Sequence, residues 1–125
     1  MKIALVGSRF FGASVLEALR QVKGVEISCV VTIAADDRLA LAAHKAGIPV
    51  HIQVNPKTVP GEAIAEGTDV IIAAHTHARI SDEALARARL GGVGYHPSLL
   101  PRHRGIAAVE WTILSGDPIA GGSVY

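Results

Sequence analysis

The chain opens with Lys2-Ile3-Ala4-Leu5-Val6, which Gly7 follows at once. A continuous apolar run with β-branched residues is typical of a strand that is covered on both faces, as in parallel sheets. Residues 12–20 then carry apolar side chains at helical spacing, and residues 26–32 form a second apolar run. This strand, helix, strand order predicts a parallel crossover at the start of the chain.

The alternation continues along the rest of the sequence. Asp36 or Asp37 is placed to cap a helix, and Ser81 to cap another whose acidic start and basic end suit its dipole. The other predicted elements are strands over 50–54, 69–74 and 92–95, a weak helix over 59–65, a loop over 75–80, and helices over 82–89 and 106–114. We therefore predict an α/β fold with a doubly wound, mostly parallel sheet, Rossmann-like with three αβα layers, in a single domain over 1–125.

Composition narrows the classes of partner. The formal net charge of +1 gives no field that would attract nucleic acid or a membrane surface. Several arginines in the second half of the chain could meet a phosphate or simply be solvated. They are Arg79, Arg87, Arg89, Arg102 and Arg104.

The single cysteine, Cys29, excludes an internal disulfide and is expected to be a buried structural thiol. No apolar run approaches the roughly 20 residues of a membrane helix, and the apolar start is broken by Gly7-Ser8-Arg9 before a signal peptide could form. We expect a soluble, cytoplasmic protein. Residues 121–125 look like the start of another strand, so we also expect that the chain is cut short.

Ligands of parallel sheets lie beyond the carboxyl ends of the strands. That edge should carry Gly7-Ser8-Arg9, His75-Thr76-His77 and His96. The first loop could offer backbone amides to an anion, but it lacks the glycine fingerprint of a dinucleotide-binding site. Without that fingerprint, we expect Asp36 or Asp37 to belong to a tight turn rather than to bind the ribose of a nicotinamide cofactor.

The other histidines give weaker signals. His75 and His77 lack further residues in ligand spacing, so we predict no metal and expect them to contact a ligand or solvent. His44 and His51 have no convergent partners and are expected to be structural.

His96 is the strongest candidate for chemistry. Pro97 and Pro101 stiffen the loop that follows it. A well-positioned imidazole can donate to a developing oxyanion or pass a proton to a leaving amine. From position alone, a turn histidine bonded to a backbone carbonyl is an equal alternative.

The run from His96 to Gly105, His-Pro-Ser-Leu-Leu-Pro-Arg-His-Arg-Gly, followed by Ala107, Trp111 and Gly116-Asp117, resembles the formyltransferase family that uses 10-formyltetrahydrofolate. The resemblance extends over essentially the whole chain. It implies that His96 is the catalytic histidine and stabilises the oxyanion as the formyl group moves to an amine. It also allows a cis bond between Leu100 and Pro101. The implied folate-contacting residues are His75, Thr76, His77 and Arg79 on one loop, and Ser98, Leu99, Leu100 and Pro101 on another; Gly7, Ser8 and Arg9 would face the acceptor.

The sequence departs from the family in two places. Gly94 stands where the family usually has an asparagine, and the family's aspartate would follow the end of this chain; Asp117 does not replace it by position. The main prediction is formyl transfer to an amine of a small acceptor, either phosphorylated or not, with no nucleic acid or membrane partner. The Gly94-Tyr95 variant favours hydrolysis of the same folate as an alternative, and the departures leave a folate-binding module without turnover as another. Oligomeric state is not predicted.

Overall fold

The computed structural model describes all residues from Met1 to Tyr125, in two compact units over 1–93 and 94–125. The strands are β1 (Lys2–Gly7), β2 (Glu26–Thr32), β3 (Val50–Ile52), β4 (Thr58–Val59), β5 (Val70–Ala74), β6 (Arg79–Ile80), β7 (Gly92–His96) and β8 (Ser123–Val124). The helices are α1 (Arg9–Arg20), α2 (Arg38–Lys45), α3 (Asp82–Ala86) and α4 (Ala108–Leu114), with a 3₁₀ turn over Gly61–Ala63.

The first unit is built on a parallel sheet in the order β3-β2-β1-β5. Alternate residues of β1 face opposite sides, because the side-chain period of a strand is two. Ile3 and Leu5 pack with Leu16 of α1 and Leu39 of α2. On the other face, residues from β1, β2 and β5 pack with the 3₁₀ turn and α3; the cluster includes Ala4, Val6, Cys29, Val31, Ile71, Ala63 and Ala84. These layers confirm the predicted α/β class with helices on both faces of a mostly parallel sheet.

Local chemistry explains where the helices begin. Asp37 is the residue that caps α2, since its Oδ1 accepts from the Leu39 amide at 2.9 Å. Ser81 caps α3 through the Ala84 amide at 3.1 Å, as predicted. Cys29 is 5% exposed and lies in the core, which confirms its structural role. Helix α1 begins at Arg9 rather than at residue 12, so the loop after β1 is shorter than predicted.

Two predicted elements in the first unit are wrong. Residues 59–65 do not form an α-helix: Thr58–Val59 is a strand, and only Gly61–Ala63 turns, as a 3₁₀ helix. The loop predicted over 75–80 contains the partner of that strand, with Thr58 beside Arg79 in parallel register. This pairing joins segments about twenty residues apart, which local periodicity cannot reveal.

Helix α3 stops at Ala86, so the predicted basic end lies beyond it. Arg87 instead donates to the carbonyls of Gly61 and Ile64, and Arg89 pairs with Asp69 at 3.0 Å. The predicted dipole argument therefore holds only for the acidic start of this helix. Strand β3 is also shorter than predicted, because it ends at Ile52.

The second unit contains the end of β7, the loop after it, α4 and β8. Strands β7 and β8 are antiparallel, with Tyr95 opposite Val124 and His96 opposite Ser123. The expected strand near the chain end is thus confirmed as β8. Helix α4 begins at Ala108, two residues later than predicted, after Ala107 in a left-handed conformation with φ of 62°. No helix in the chain is long and apolar enough to cross a membrane.

Candidate functional site

The first unit brings together two of the predicted loops. The Ser8 hydroxyl donates to the His75 carbonyl oxygen at 2.9 Å, and Ser8 is only 4% exposed. Parallel pairing of β1 with β5, in which Gly7 lies opposite Ala74, places these strand ends side by side. The sequence argument that strand ends share an edge is confirmed for these two loops.

The amide of Arg9 is already bonded in this cluster. It donates to both carboxylate oxygens of Asp37 at 3.0 Å, and Thr32 Oγ1 donates to the same side chain at 3.3 Å. Asp37 therefore joins the ends of β1 and β2 to the start of α2, rather than binding a ribose. The interpretation of this acid as part of a tight turn is the one that fits the structure. An anion at this helix start would have to displace Asp37 from the Arg9 amide.

His75 and His77 lie close together on the loop after β5. Their rings are 5.8 Å apart in an edge-to-face arrangement, and His75 has a positive φ of 61°. Burial lowers the pKa of His75 below its usual value, and the nearby charges of Arg9 and His77 lower it further. His75 is therefore mostly neutral at pH 7. No group of three or more His, Cys, Asp or Glu side chains in the chain could hold a metal ion.

Most of the predicted arginine group is paired with carboxylates. Arg79 contacts Asp82 at 3.1 Å, Arg87 contacts Glu66 at 3.7 Å, and Arg89 contacts Asp69 as described. The Lys2 amide and Arg89 hold the pKa of Asp69 below its usual value. These pairs favour the interpretation of the arginines as surface charges over a shared phosphate site.

In the second unit, His96 ends β7 and its ring contacts the loop after it. His96 Nε2 lies 2.8 Å from the His103 carbonyl oxygen. A carbonyl only accepts, so Nε2 carries the proton and, in the neutral ring, Nδ1 carries the lone pair. The alternative prediction, a turn histidine bonded to a backbone carbonyl, is thus correct for Nε2 of His96. That bond leaves Nδ1 as the ring nitrogen that is able to accept a proton.

Hydrogen bonds within the 98–105 loop and to β8 account for the side-chain hydroxyl and the carbonyl of Ser98. The Ser98 hydroxyl donates to the Arg102 carbonyl at 2.7 Å, and its own carbonyl accepts from the Ser123 hydroxyl at 2.7 Å. The Leu100–Pro101 bond is cis, as the resemblance allowed. Leu99 and Leu100 are 43% and 38% exposed, so this part of the loop presents apolar surface.

Sequence reasoning missed the residues that support this loop. Asp117 accepts from Arg102 at 2.5 Å and from His103 Nε2 at 2.7 Å, although it lies 14 residues from His103. No spacing rule links residues across a loop and a whole helix. Gly94 also has a physical reason: a Cβ there would lie 2.5 Å from Cζ of Tyr125, so any side chain would have to displace that ring.

Comparison with known proteins agrees with this architecture. The formyl transferase family model matches residues 1–125. The chain is 34% identical to human cytosolic 10-formyltetrahydrofolate dehydrogenase and 35% identical to the human mitochondrial form; each match covers all of this chain and 15% of the relative. It is 33% identical to the methionyl-tRNA formyltransferase of Anaplasma phagocytophilum, covering 97% of this chain and 44% of that protein.

Solved structures show the same fold. Phosphoribosylglycinamide formyltransferase from Bacillus halodurans aligns with a TM-score of 0.79 at 19% identity, over all of this chain and 71% of that one. The enzyme from Campylobacter jejuni aligns with a TM-score of 0.78 at 21% identity. The chain thus spans only 15% of the length of the dehydrogenases and nearly three quarters of these structures.

Proposed function

We propose, from the premise that the chain belongs to the formyl transferase family, that it is part of an enzyme that moves the formyl group of 10-formyltetrahydrofolate to an amine of a small acceptor. The observation that carries this proposal is the state of His96, whose Nε2 proton is bonded to the His103 carbonyl. A ring fixed in this tautomer offers Nδ1 as its basic nitrogen. The relatives of this chain include a protein named as a formyltransferase and proteins named as 10-formyltetrahydrofolate dehydrogenases.

The residues present suit a folate. Leu99 and Leu100 expose apolar surface beside Ser98, whose hydroxyl is bonded within the loop. A flat ring of the folate could therefore pack on these leucines without leaving the Ser98 hydroxyl unpaired. We propose that His75, Thr76, His77, Arg79 and Pro101 also contact it. Thr76 holds its own loop, since its hydroxyl accepts from the Ala78 amide at 3.1 Å. We propose that this loop contacts the folate largely through its backbone groups.

When bound, 10-formyltetrahydrofolate supplies an activated formyl group. In our proposal His96 Nδ1 accepts a proton from the nucleophile as it adds to the formyl carbon, and the protonated ring donates toward the oxygen that gains charge. The same proton then passes to the folate nitrogen as its bond to the formyl carbon breaks, so that tetrahydrofolate leaves. The His103 carbonyl stabilises the protonated ring, because its bond to Nε2 becomes charge-assisted. Gly7, Ser8 and Arg9 are proposed to face the acceptor.

One second function has a specific observation in its favour. Gly94 stands at the position where the family usually has an asparagine, so no amide side chain is available there. The dehydrogenases also have a higher identity to this chain than the methionyl-tRNA formyltransferase does. We therefore propose hydrolysis of the same folate, with water as the nucleophile, as the alternative. His96 would act on water through the same nitrogen. A folate-binding module without turnover remains the outcome if neither reaction occurs.

The test is to incubate the full-length protein with 10-formyltetrahydrofolate alone and with added amines, including glycinamide ribonucleotide, and to measure tetrahydrofolate, formate and formylated amine. Transfer predicts folate consumption only when the correct amine is present, with no formate. Rapid formate release without amine would replace the transfer proposal with hydrolysis. Binding of the folate without consumption in any arm would support the module without turnover.

We also propose a cytoplasmic location, because the relatives include cytosolic forms. Mitochondrial forms exist among them, so fractionation of cells that express the tagged protein decides this point. Enrichment in mitochondria would contradict it.

A further inference from the structure

A buried carboxylate supports the loop that carries the hydrogen-bond partner of His96. The Asp117 side chain is only 5% exposed, and it accepts from Arg102 Nη2 at 2.5 Å and from His103 Nε2 at 2.7 Å. His103 is itself 16% exposed at its side chain. Loss of the carboxylate would leave a mostly buried imidazole N–H without an acceptor, which costs more than an exposed bond would.

His103 has a backbone conformation that needs support. Its φ is 48°, in the left-handed region that non-glycine residues adopt only at a cost of about 1–3 kcal/mol. The bond from its ring to Asp117 holds the residue in this conformation. The same residue presents its carbonyl to His96 Nε2 at 2.8 Å. One residue therefore connects Asp117 to the ring of His96.

We propose that Asp117 is a positioning residue for His96, acting through His103. The inference rests on the proposed function, in which His96 is the reacting group. Asp117 does not touch His96; it fixes the His103 carbonyl, and that carbonyl fixes which nitrogen of His96 carries the proton and how the ring is turned.

The loop has other attachments that do not involve Asp117. Ser98 donates to the Arg102 carbonyl, and Ser123 Oγ accepts from the Leu100 amide at 3.0 Å. Removing the carboxylate should therefore leave the first half of the loop in place while releasing His103. A positioning role therefore predicts a change at His103 and His96 alone, whereas a general stabilising role predicts that the whole loop is disturbed.

The test uses Asp117→Ala in the full-length protein with ¹⁵N-labelled histidine. Glu110→Ala, an exposed acid on α4 of the same unit, is the control. Long-range ¹H–¹⁵N spectra of the folate-free protein report the tautomer of His96, whose signals are assigned by their loss in His96→Ala. We expect the wild type and the control to show the Nε2–H tautomer, and Asp117→Ala to show a mixture.

Turnover gives the second readout. We expect kcat to fall about 10- to 100-fold in Asp117→Ala, because a small misplacement of the reacting group costs that much. KM for the folate should change less than about threefold, since no folate contact is removed. If Asp117→Ala does not fold, Asp117→Asn keeps the side-chain shape and carries the same two measurements.

The two proposals can fail separately. An unchanged His96 tautomer and unchanged kcat in the Asp117 variant, with His96→Ala inactive, would overturn the positioning role and leave the function standing. Full turnover in His96→Ala would overturn the proposed function, while the tautomer spectra would still show whether Asp117 controls this ring.

Discussion

Gly7→Ala should be among the most damaging single substitutions in the first unit. Gly7 lies opposite Ala74 in the parallel pairing of β1 with β5, and an added Cβ would lie 2.1 Å from the Ala74 carbonyl oxygen. Ordinary contact begins near 3.4 Å, so the strands would have to separate by about 1 Å at their carboxyl ends. The obstructing atom is backbone and cannot rotate away.

We expect this change to cost at least about 3 kcal/mol, the upper end of ordinary overpacking. With a urea slope of about 1–3 kcal/mol per molar, the unfolding midpoint should fall by at least about 1 M. Gly12→Ala is the matched control: its Cβ would meet the end of the Leu39 side chain at 3.2 Å, and alanine favours a helix by about 1 kcal/mol. Its midpoint should lie close to that of the wild type. Equal midpoints for Gly7→Ala and the wild type would refute the β1–β5 register.

Three further predictions concern stability. Leu16→Ala removes a fully buried side chain and should lower the free energy of unfolding by about 2.7–5 kcal/mol. Leu41 is 56% exposed, so Leu41→Ala should change that free energy little. Equal losses of the two variants in denaturant titrations would contradict the packing of α1. Because burial lowers the pKa of His75, the unfolded chain binds the proton more readily, so stability should fall slightly as pH drops below 6.5. His75→Gln should reduce that slope, and an unchanged slope would assign it elsewhere. Ser81→Ala removes the cap of α3 and should cost about 1 kcal/mol in thermal unfolding, while an unchanged melting temperature would show that the cap contributes nothing.

The parts of the fold that depend on burial and local capping could be predicted from the sequence. Strand β2 was predicted over its full extent, because an apolar run from Glu26 to Thr32 has no other stable location than a sheet interior. The cap at Ser81 and the buried Cys29 follow from the same local rules. Parallel strand order also correctly placed the Ser8 and His75 loops together.

Contacts between distant segments could not be predicted. The β4–β6 pair has only two residues in each strand, and the helix predicted over 59–65 is the end of a strand at Val59 followed by a 3₁₀ turn over Gly61–Ala63. The Asp37 bond to the Arg9 amide spans 28 residues, and no spacing rule signals it. The bonds of Asp117 to Arg102 and His103 likewise depend on a loop conformation that only the structure shows.

The most direct test of the proposed function is single-turnover consumption of 10-formyltetrahydrofolate by His96→Ala, measured beside His44→Ala, an exposed histidine on α2. We predict a loss of at least about a hundredfold in the rate for His96→Ala, since general acid–base groups contribute at least that much. The His44 variant should match the wild type. A His96→Ala protein that consumes the folate at the wild-type rate would contradict the assignment of this imidazole as the reacting group.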